Sequence, residues 1–170
     1  MSPDAIPSPH QIPDQSAAQP DHARLDLEHF LPYRLSVLSN RVSQTISGLY
    51  RQRFGLGVTE WRTMAVLGRY PDLSASEVAE RTAMDKVAVS RAVARLLQRG
   101  FIQRHTHGDD RRRSVLALSE AGYAVYDQVA PMTLECERQL LNELDADERA
   151  QLDALLHKLS AGVGLIVGHD

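Results

Sequence analysis

Residues 86–120 read KVAVSRAVARLLQRGFIQRHTHGDDRRRSVLALSE, and the change of period inside this stretch decides the fold. From Lys86 to Gln98, Val89, Val93, Leu96 and Leu97 recur at helical spacing, Asp85 is placed to cap the start and Gly100 to stop the end. After Gly100 the helical period is lost. Phe101–Thr106 and Arg113–Leu118 read as strands, and the polar stretch His107–Arg112 with Gly108 between them reads as the loop of a β-hairpin. Upstream, Ser74-Ala75-Ser76-Glu77 is a capping box that starts a short helix to about Thr82. Two short helices followed by a hairpin make a winged helix-turn-helix.

Working outward, Leu31, Leu35, Leu38, Val42, Ile46 and Leu49 form one apolar stripe of a long first helix, expected over Leu27–Arg53, with Pro32 early and Gly55 and Gly57 at the end. A second helix is expected from Thr59, read as its N-cap, to Arg69, with Pro71 just beyond. On the far side of the hairpin, Ser119 caps a fifth helix in which Pro131 is expected to introduce a kink. Asp145 and Glu148 open a last helix that carries Leu152, Leu155, Leu156, Leu159, Val163 and Ile166 on one stripe. The expected fold is mainly α with a small β-hairpin wing, a winged helix-turn-helix flanked by long helices. Residues 1–24, with five prolines among Ser, Gln, Asp and Ala, read as a disordered tail. Residues 25–58 and 119–170 read as the flanking helical region, and residues 59–118 as the winged helix-turn-helix domain.

Charge is segregated along the chain. The whole 170-residue sequence carries a net charge of −3. Lys86–Arg113 holds eight bases and two acids, a local net of +6, whereas Ser119–His157 holds nine acids and two bases, a net of −7. A basic module attracts phosphate and displaces its counterions, and an acidic helical region repels DNA. Met1–Pro20 lacks the basic start and apolar core of a secretion signal, and no apolar run is long enough to span a bilayer, so a cytoplasmic location without membrane contact is expected. Cys136 is the single cysteine, flanked by Glu135 and Glu137, which do not favour a thiolate. No Gly-rich phosphate loop, His-Glu-x-x-His or Gly-x-Ser-x-Gly is present, so neither an enzyme, a cofactor nor a metal site is expected. His105 and His107 read as neighbours of phosphate or water rather than metal ligands.

The helix over residues 86–98 has two different faces. Opposite the apolar side lie Lys86, Val87, Ser90, Arg91 and Ala94, small, polar or basic groups that suit entry into a major groove. Arg95 on this helix and Ser76 at the start of the preceding one extend the expected DNA contacts. Lys86 near the helix start can reach phosphate, aided by the helix dipole. Arg111, Arg112 and Arg113 at the hairpin tip fit a narrow, negative minor groove, and a neighbouring aspartate can orient one of them.

At these residues the chain resembles the MarR family of bacterial winged-helix regulators. The family signature is Asp-x-Arg, five residues, then Leu-Thr; here it is Asp110, Arg112, Leu118 and Ser119, serine standing for threonine. Glu120-Ala121-Gly122 continues in the family style, and residues 74–79 and 89–102 look like its helix-turn-helix and the approach to its wing. The resemblance covers roughly residues 28–165. It implies a homodimer held by the first and last two helices, addressing a pseudo-palindromic double-stranded operator, with Asp110 bracing the wing and Arg111 or Arg112 entering the minor groove.

The family often binds phenolic or aromatic acids where the first, second and fifth helices meet the DNA-binding lobe. His29, Tyr33, Arg34, Tyr50, Trp61 and Arg62 are the candidate contacts, aromatic walls with arginines for a planar carboxylate. Residues 31–38 followed by Glu60-Trp61-Arg62 look like the subgroup responding to hydroxycinnamates, hydroxybenzoates or hydroxynicotinates. Tyr33 and Trp61 serve equally well as core, and Arg34 and Arg62 as partners of local acids. The expected function is a repressor released from its operator by a small aromatic carboxylate. A thiol-based oxidant sensor and a ligand-independent architectural DNA binder are the alternatives.

Overall fold

The computed structural model describes the backbone of residues 23–107 and 110–166, and the side chains of residues 23–106 and 114–164. Its elements are α1 (Leu31–Phe54), α2 (Val58–Arg69), α3 (Ala75–Thr82), α4 (Lys86–Gln98), β1 (Ile102–His107), β2 (Asp110–Leu118), α5 (Glu120–Leu141) and α6 (Ala146–Ile166). This is the expected helical chain with one two-stranded antiparallel hairpin. The expected tail falls largely on residues 1–22, outside the described residues. By its contacts the chain divides into two units, residues 1–38 and residues 39–170.

In the first unit, α1 starts at Leu31 rather than at Leu27. The reason is Pro32: a proline ring clashes with the carbonyl four residues earlier, so a helix containing Glu28 could not continue through it. Residues 27–29 form a turn instead, with His29 Nδ1 2.8 Å from Asp26 Oδ2. Leu31, Leu35 and Leu38 stand exposed on one stripe.

In the second unit, local signals and packing agree at nearly every boundary. α2 begins two residues earlier than a Thr59 cap implies, because Glu60, itself buried, reaches back to accept the Gly57 N–H at 2.6 Å. The box predicted at α3 is present: Ser74 N–H donates to Glu77 Oε2 at 2.7 Å and Glu77 N–H to Ser74 Oγ at 3.3 Å. Asp85 accepts from Ala88 N–H at 2.8 Å to open α4, and Gly100 ends the segment with φ +71°. Asp145 and Glu148 exchange backbone N–H bonds at 2.9 Å ahead of α6.

The two strands pair from Ile102↔Leu118 to Thr106↔Ser114, with an irregularity before His107↔Asp110. The strands therefore run further toward the tip than the sequence pattern implied, since polar and basic residues extend a ladder whose hydrogen bonds are all main-chain. Leu73, in the α2–α3 connection, bridges to Leu116 on the outer side of β2. Leu56, Met64, Leu67, Val78, Val89, Leu96, Leu116 and Val129 form a core shared by α2, α3, α4, β2 and α5 and the α1–α2 connection.

Arg99 and Ser119 help to hold the helix-turn-helix to its neighbours. Arg99 turns back to donate to the carbonyls of Phe54 and Gly55, satisfying orphan groups at the end of α1, while its guanidinium lies 4.5 Å from the Phe101 ring centroid. Ser119 caps α5 through Gly122 N–H at 3.0 Å, and its hydroxyl donates to Gly100 O at 2.5 Å. Gly122 lies so close to the Phe101 carbonyl that a Cβ would sit 1.9 Å from the oxygen. Pro131 lies inside α5, which continues through it to Leu141.

Candidate nucleic-acid interface and effector site

Burial divides α4 along the line expected from its sequence. Val89, Ala92, Val93 and Leu96 are buried, whereas Lys86, Val87, Ser90, Arg91, Ala94 and Arg95 are exposed. Val87 is 56% exposed although apolar, so the core does not account for it. Among the described residues, no hydrogen bond or ion pair engages the side chains of Lys86, Ser90, Arg91 or Arg95. A helix presenting small groups, one hydroxyl and three uncommitted cations can approach a polyanion closely and still offer donors to it. Arg91 and Arg95, one turn apart, also flank a cleft of about 210 Å³ whose other wall is the start of α2, Gly57 to Glu60. Ser76 is exposed on the first turn of α3. Asp110, Arg111, Arg112 and Arg113 lie on β2, and their side chains fall outside the described residues.

The expected effector residues fall into two sets, one in each unit. In the first unit His29, Tyr33 and Arg34 are exposed, His29 bonded to Asp26 as described, and Arg34 lines an open apolar hollow with Leu31, Leu35 and Leu38. In the second unit Tyr50 and Trp61 are packed into the core, 1% and 8% exposed, with ring centroids 5.8 Å apart. Burial pushes the Tyr50 hydroxyl pKa above its ordinary value, partly offset by the positive charges of Arg62 and Arg51. Arg62 is half-buried and donates to Ser43 Oγ at 2.7 Å, so its local partner is a hydroxyl and not an acid.

The aromatic cluster is larger than the sequence suggested. Tyr126 of α5 lies 5.7 Å from Trp61 between ring centroids, and Tyr123 meets Tyr126 edge-on at 6.5 Å. Gly68 makes room for it, since a Cβ there would come within 2.7 Å of the Tyr126 ring. The sequence signal was the Tyr123–Tyr126 pair at i, i+3 directly after the α5 cap, one face of one helix. Also unforeseen is the contact of His105 Nε2 with Asp72 Oδ1 at 2.6 Å, which joins β1 to the α2–α3 connection.

Cys136 is half-buried on α5. Among the described residues no group of three or more His, Cys, Asp or Glu could hold a metal ion, and no helix is long and apolar enough to cross a membrane.

Comparison with known proteins agrees with this architecture. Residues 54–113 match a family model described as MarR family. The chain is 31% identical over 113 residues to the HTH-type transcriptional regulator BilQ of Clostridium symbiosum (strain WAL-14163), covering 66% of this chain and 77% of that one. It is 24% identical over 110 residues to the homoprotocatechuate degradative operon repressor of Escherichia coli, covering 65% and 74% of the two. The crystal structure of a MarR/EmrR family transcriptional regulator from Acinetobacter sp. ADP1 superposes with a TM-score of 0.77 at 33% identity, covering 83% of this chain and 99% of that one. Agreement of that extent, in sequence and in fold together, makes this chain a member of the MarR family of winged-helix transcriptional regulators.

Proposed function

We propose that the protein is a homodimeric, sequence-specific repressor that grips a pseudo-palindromic operator and releases it when a small aromatic carboxylate binds. The observation that carries the DNA half is α4: its buried side is wholly apolar, and its exposed side offers Lys86, Ser90, Arg91 and Arg95 with no protein partner among the described residues. In this reading α4 enters the major groove, Ser90 and Arg91 meet base edges or phosphate, and Lys86, Arg95 and Ser76 meet phosphate. Arg111, Arg112 and Arg113 reach the adjacent minor groove, with Asp110 orienting the wing.

Dimerisation is supported by α6, where Leu155, Leu159 and Val163 are 56%, 43% and 60% exposed in the single chain. A continuous apolar stripe of this kind is stable in water only when covered. A second copy related by a two-fold axis covers it and presents two α4 helices to successive major grooves.

For the effector, support comes from the Tyr50–Trp61–Tyr126 cluster with Arg62 beside it, and from the similarity to a repressor of a homoprotocatechuate degradative operon. Arg62 takes the carboxylate by exchanging its Ser43 bond, and the aromatic rings stack on the ligand. His29, Tyr33 and Arg34 carry the same role on the strength of the sequence. Such a ligand releases DNA only if it binds better to a dimer whose α4 helices are wrongly spaced.

The experiment is a gel shift on the promoter beside the gene, titrated with hydroxybenzoates, hydroxycinnamates and hydroxynicotinates. A specific complex dissolved by one of these classes is expected. A complex indifferent to all of them leaves an architectural DNA binder, and a response abolished by Cys136→Ser reassigns the protein as a thiol sensor.

A further inference from the structure

We propose that Asp72 is a positioning residue for the wing, a strut that fixes the hairpin's attitude toward DNA; its functional consequence rests on the DNA-binding reading above. The connection between α2 and α3 touches the wing in three places. Asp72 N–H donates to Leu116 O at 3.0 Å, Leu116 N–H donates to Leu73 O at 2.8 Å, and the Asp72 carboxylate accepts from His105 Nε2 at 2.6 Å. The first two bonds hold β2 and the third holds β1, so both strands are tied to the body from one short segment.

The backbone of Asp72 identifies its side chain as the unusual choice. Its φ is +64°, in the left-handed region where glycine is the least strained residue. Aspartate is among the few other residues that tolerate this region, at some cost in backbone energy. Nothing about the turn or its two main-chain bonds needs a carboxylate, because a glycine at this position would supply the N–H of the first and leave the Leu73 carbonyl to accept the second. Among the described residues, what the carboxylate adds is the bond to His105. His105 lies on the strand that leads to the arginine-rich tip, five residues from Asp110. The pair is about half exposed on both sides, 43% and 49% by side chain, so it steers the hairpin without contributing much to the core.

This predicts a separation of stability from function. Asp72→Gly keeps or raises resistance to urea, because it relieves the left-handed backbone, but removes the side-chain tie between β1 and the α2–α3 connection. Amide hydrogen exchange over residues 103–114 of the free protein is expected to quicken by about 1.5- to fivefold, the range of one exposed charged pair. Operator affinity is expected to fall by a similar factor of about 1.5 to five, with loss of footprint protection confined to the minor-groove positions of the wing. Asp72→Asn still accepts from His105 and tolerates the backbone, so it is expected to retain most of the protection. Asp72→Gly combined with His105→Gln is expected to be no worse than either change alone.

Unchanged wing exchange in Asp72→Gly overturns the strut, with or without DNA. Faster exchange with full operator affinity and footprint overturns its role in DNA binding. A parallel loss of urea resistance makes Asp72 an ordinary structural residue and overturns the proposal as well. If the unaltered protein binds no duplex, the DNA-binding reading fails separately, and the exchange measurement still decides whether Asp72 holds the wing.

Discussion

Replacing Gly122 by alanine sets two effects of opposite sign against each other. Gly122 is the third residue of α5, and glycine to alanine in a helix gains at most about 1 kcal/mol from propensity. Against this, the new Cβ would lie 1.9 Å from the Phe101 oxygen and 2.9 Å from its carbon, backbone atoms that cannot rotate away. The gap must open by about 1.1 Å to reach the 3.0 Å below which real Cβ contacts essentially never occur. The Phe101 carbonyl is also pinned, since it accepts the Ser119 N–H at 3.0 Å, and Ser119 in turn bonds Gly100 O. Overpacking of this kind costs about 1–3 kcal/mol. Loss of one hydrogen bond adds about 1 kcal/mol. The clash therefore wins, and Gly122→Ala is expected to destabilise by about 1–3 kcal/mol. For a change of about 2 kcal/mol in a chain of this size, Tm falls by roughly 4–8 °C. The assay is urea and thermal unfolding at one fixed protein concentration, because an oligomer's stability depends on it. Gly48→Ala on α1, whose Cβ meets nothing within 4 Å, is the control and is expected to gain up to about 1 kcal/mol. A Gly122→Ala protein as stable as the parent would refute the packing of α5 against the α4–β1 connection.

Arg99→Ala removes the donors to Phe54 O and Gly55 O together with the contact to Phe101, and a loss of about 1–2 kcal/mol in urea unfolding is expected. No measurable change would mean that water replaces the guanidinium at the end of α1. Arg112→Ala is expected to weaken operator binding and to reduce the slope of log affinity against log salt by about one. Anisotropy titrations at several salt concentrations measure this, and an unaltered slope would remove Arg112 from the interface. Bonds from Arg138, then Gln139, lower the Glu135 pKa from the ordinary 4.5 to about 2. Its folded pKa is depressed, so its small contribution to stability is present above about 4.5 and is lost as pH falls through about 2. A carboxyl NMR titration should show that low midpoint, and Arg138→Gln should move it back toward 4.5.

What could be read from the chain alone is what depends on neighbours in sequence. The order of elements, the Ser74–Glu77 box, the Asp85 and Ser119 caps, the stop at Gly100 and the two faces of α4 are all local, set by hydrogen bonds across three or four residues and by helical period. The start of α1 was also implicit, because Pro32 forbids the helix that the apolar stripe alone suggested. Contacts between distant segments were not legible. The sequence left Trp61 open as a core residue or an effector contact, and only the tertiary structure decides that it is buried against Tyr50 and Tyr126, because a helix face does not name its partner. The same holds for Arg99 on the carbonyls ending α1, for Gly122 under Phe101, and for Asp72, whose left-handed backbone and bond to His105 join residues 33 positions apart. The sequence by itself determined which helices and strands form, and the packing of the chain determined which side chains meet, since local free energies choose an element's shape and only burial chooses what lies against it.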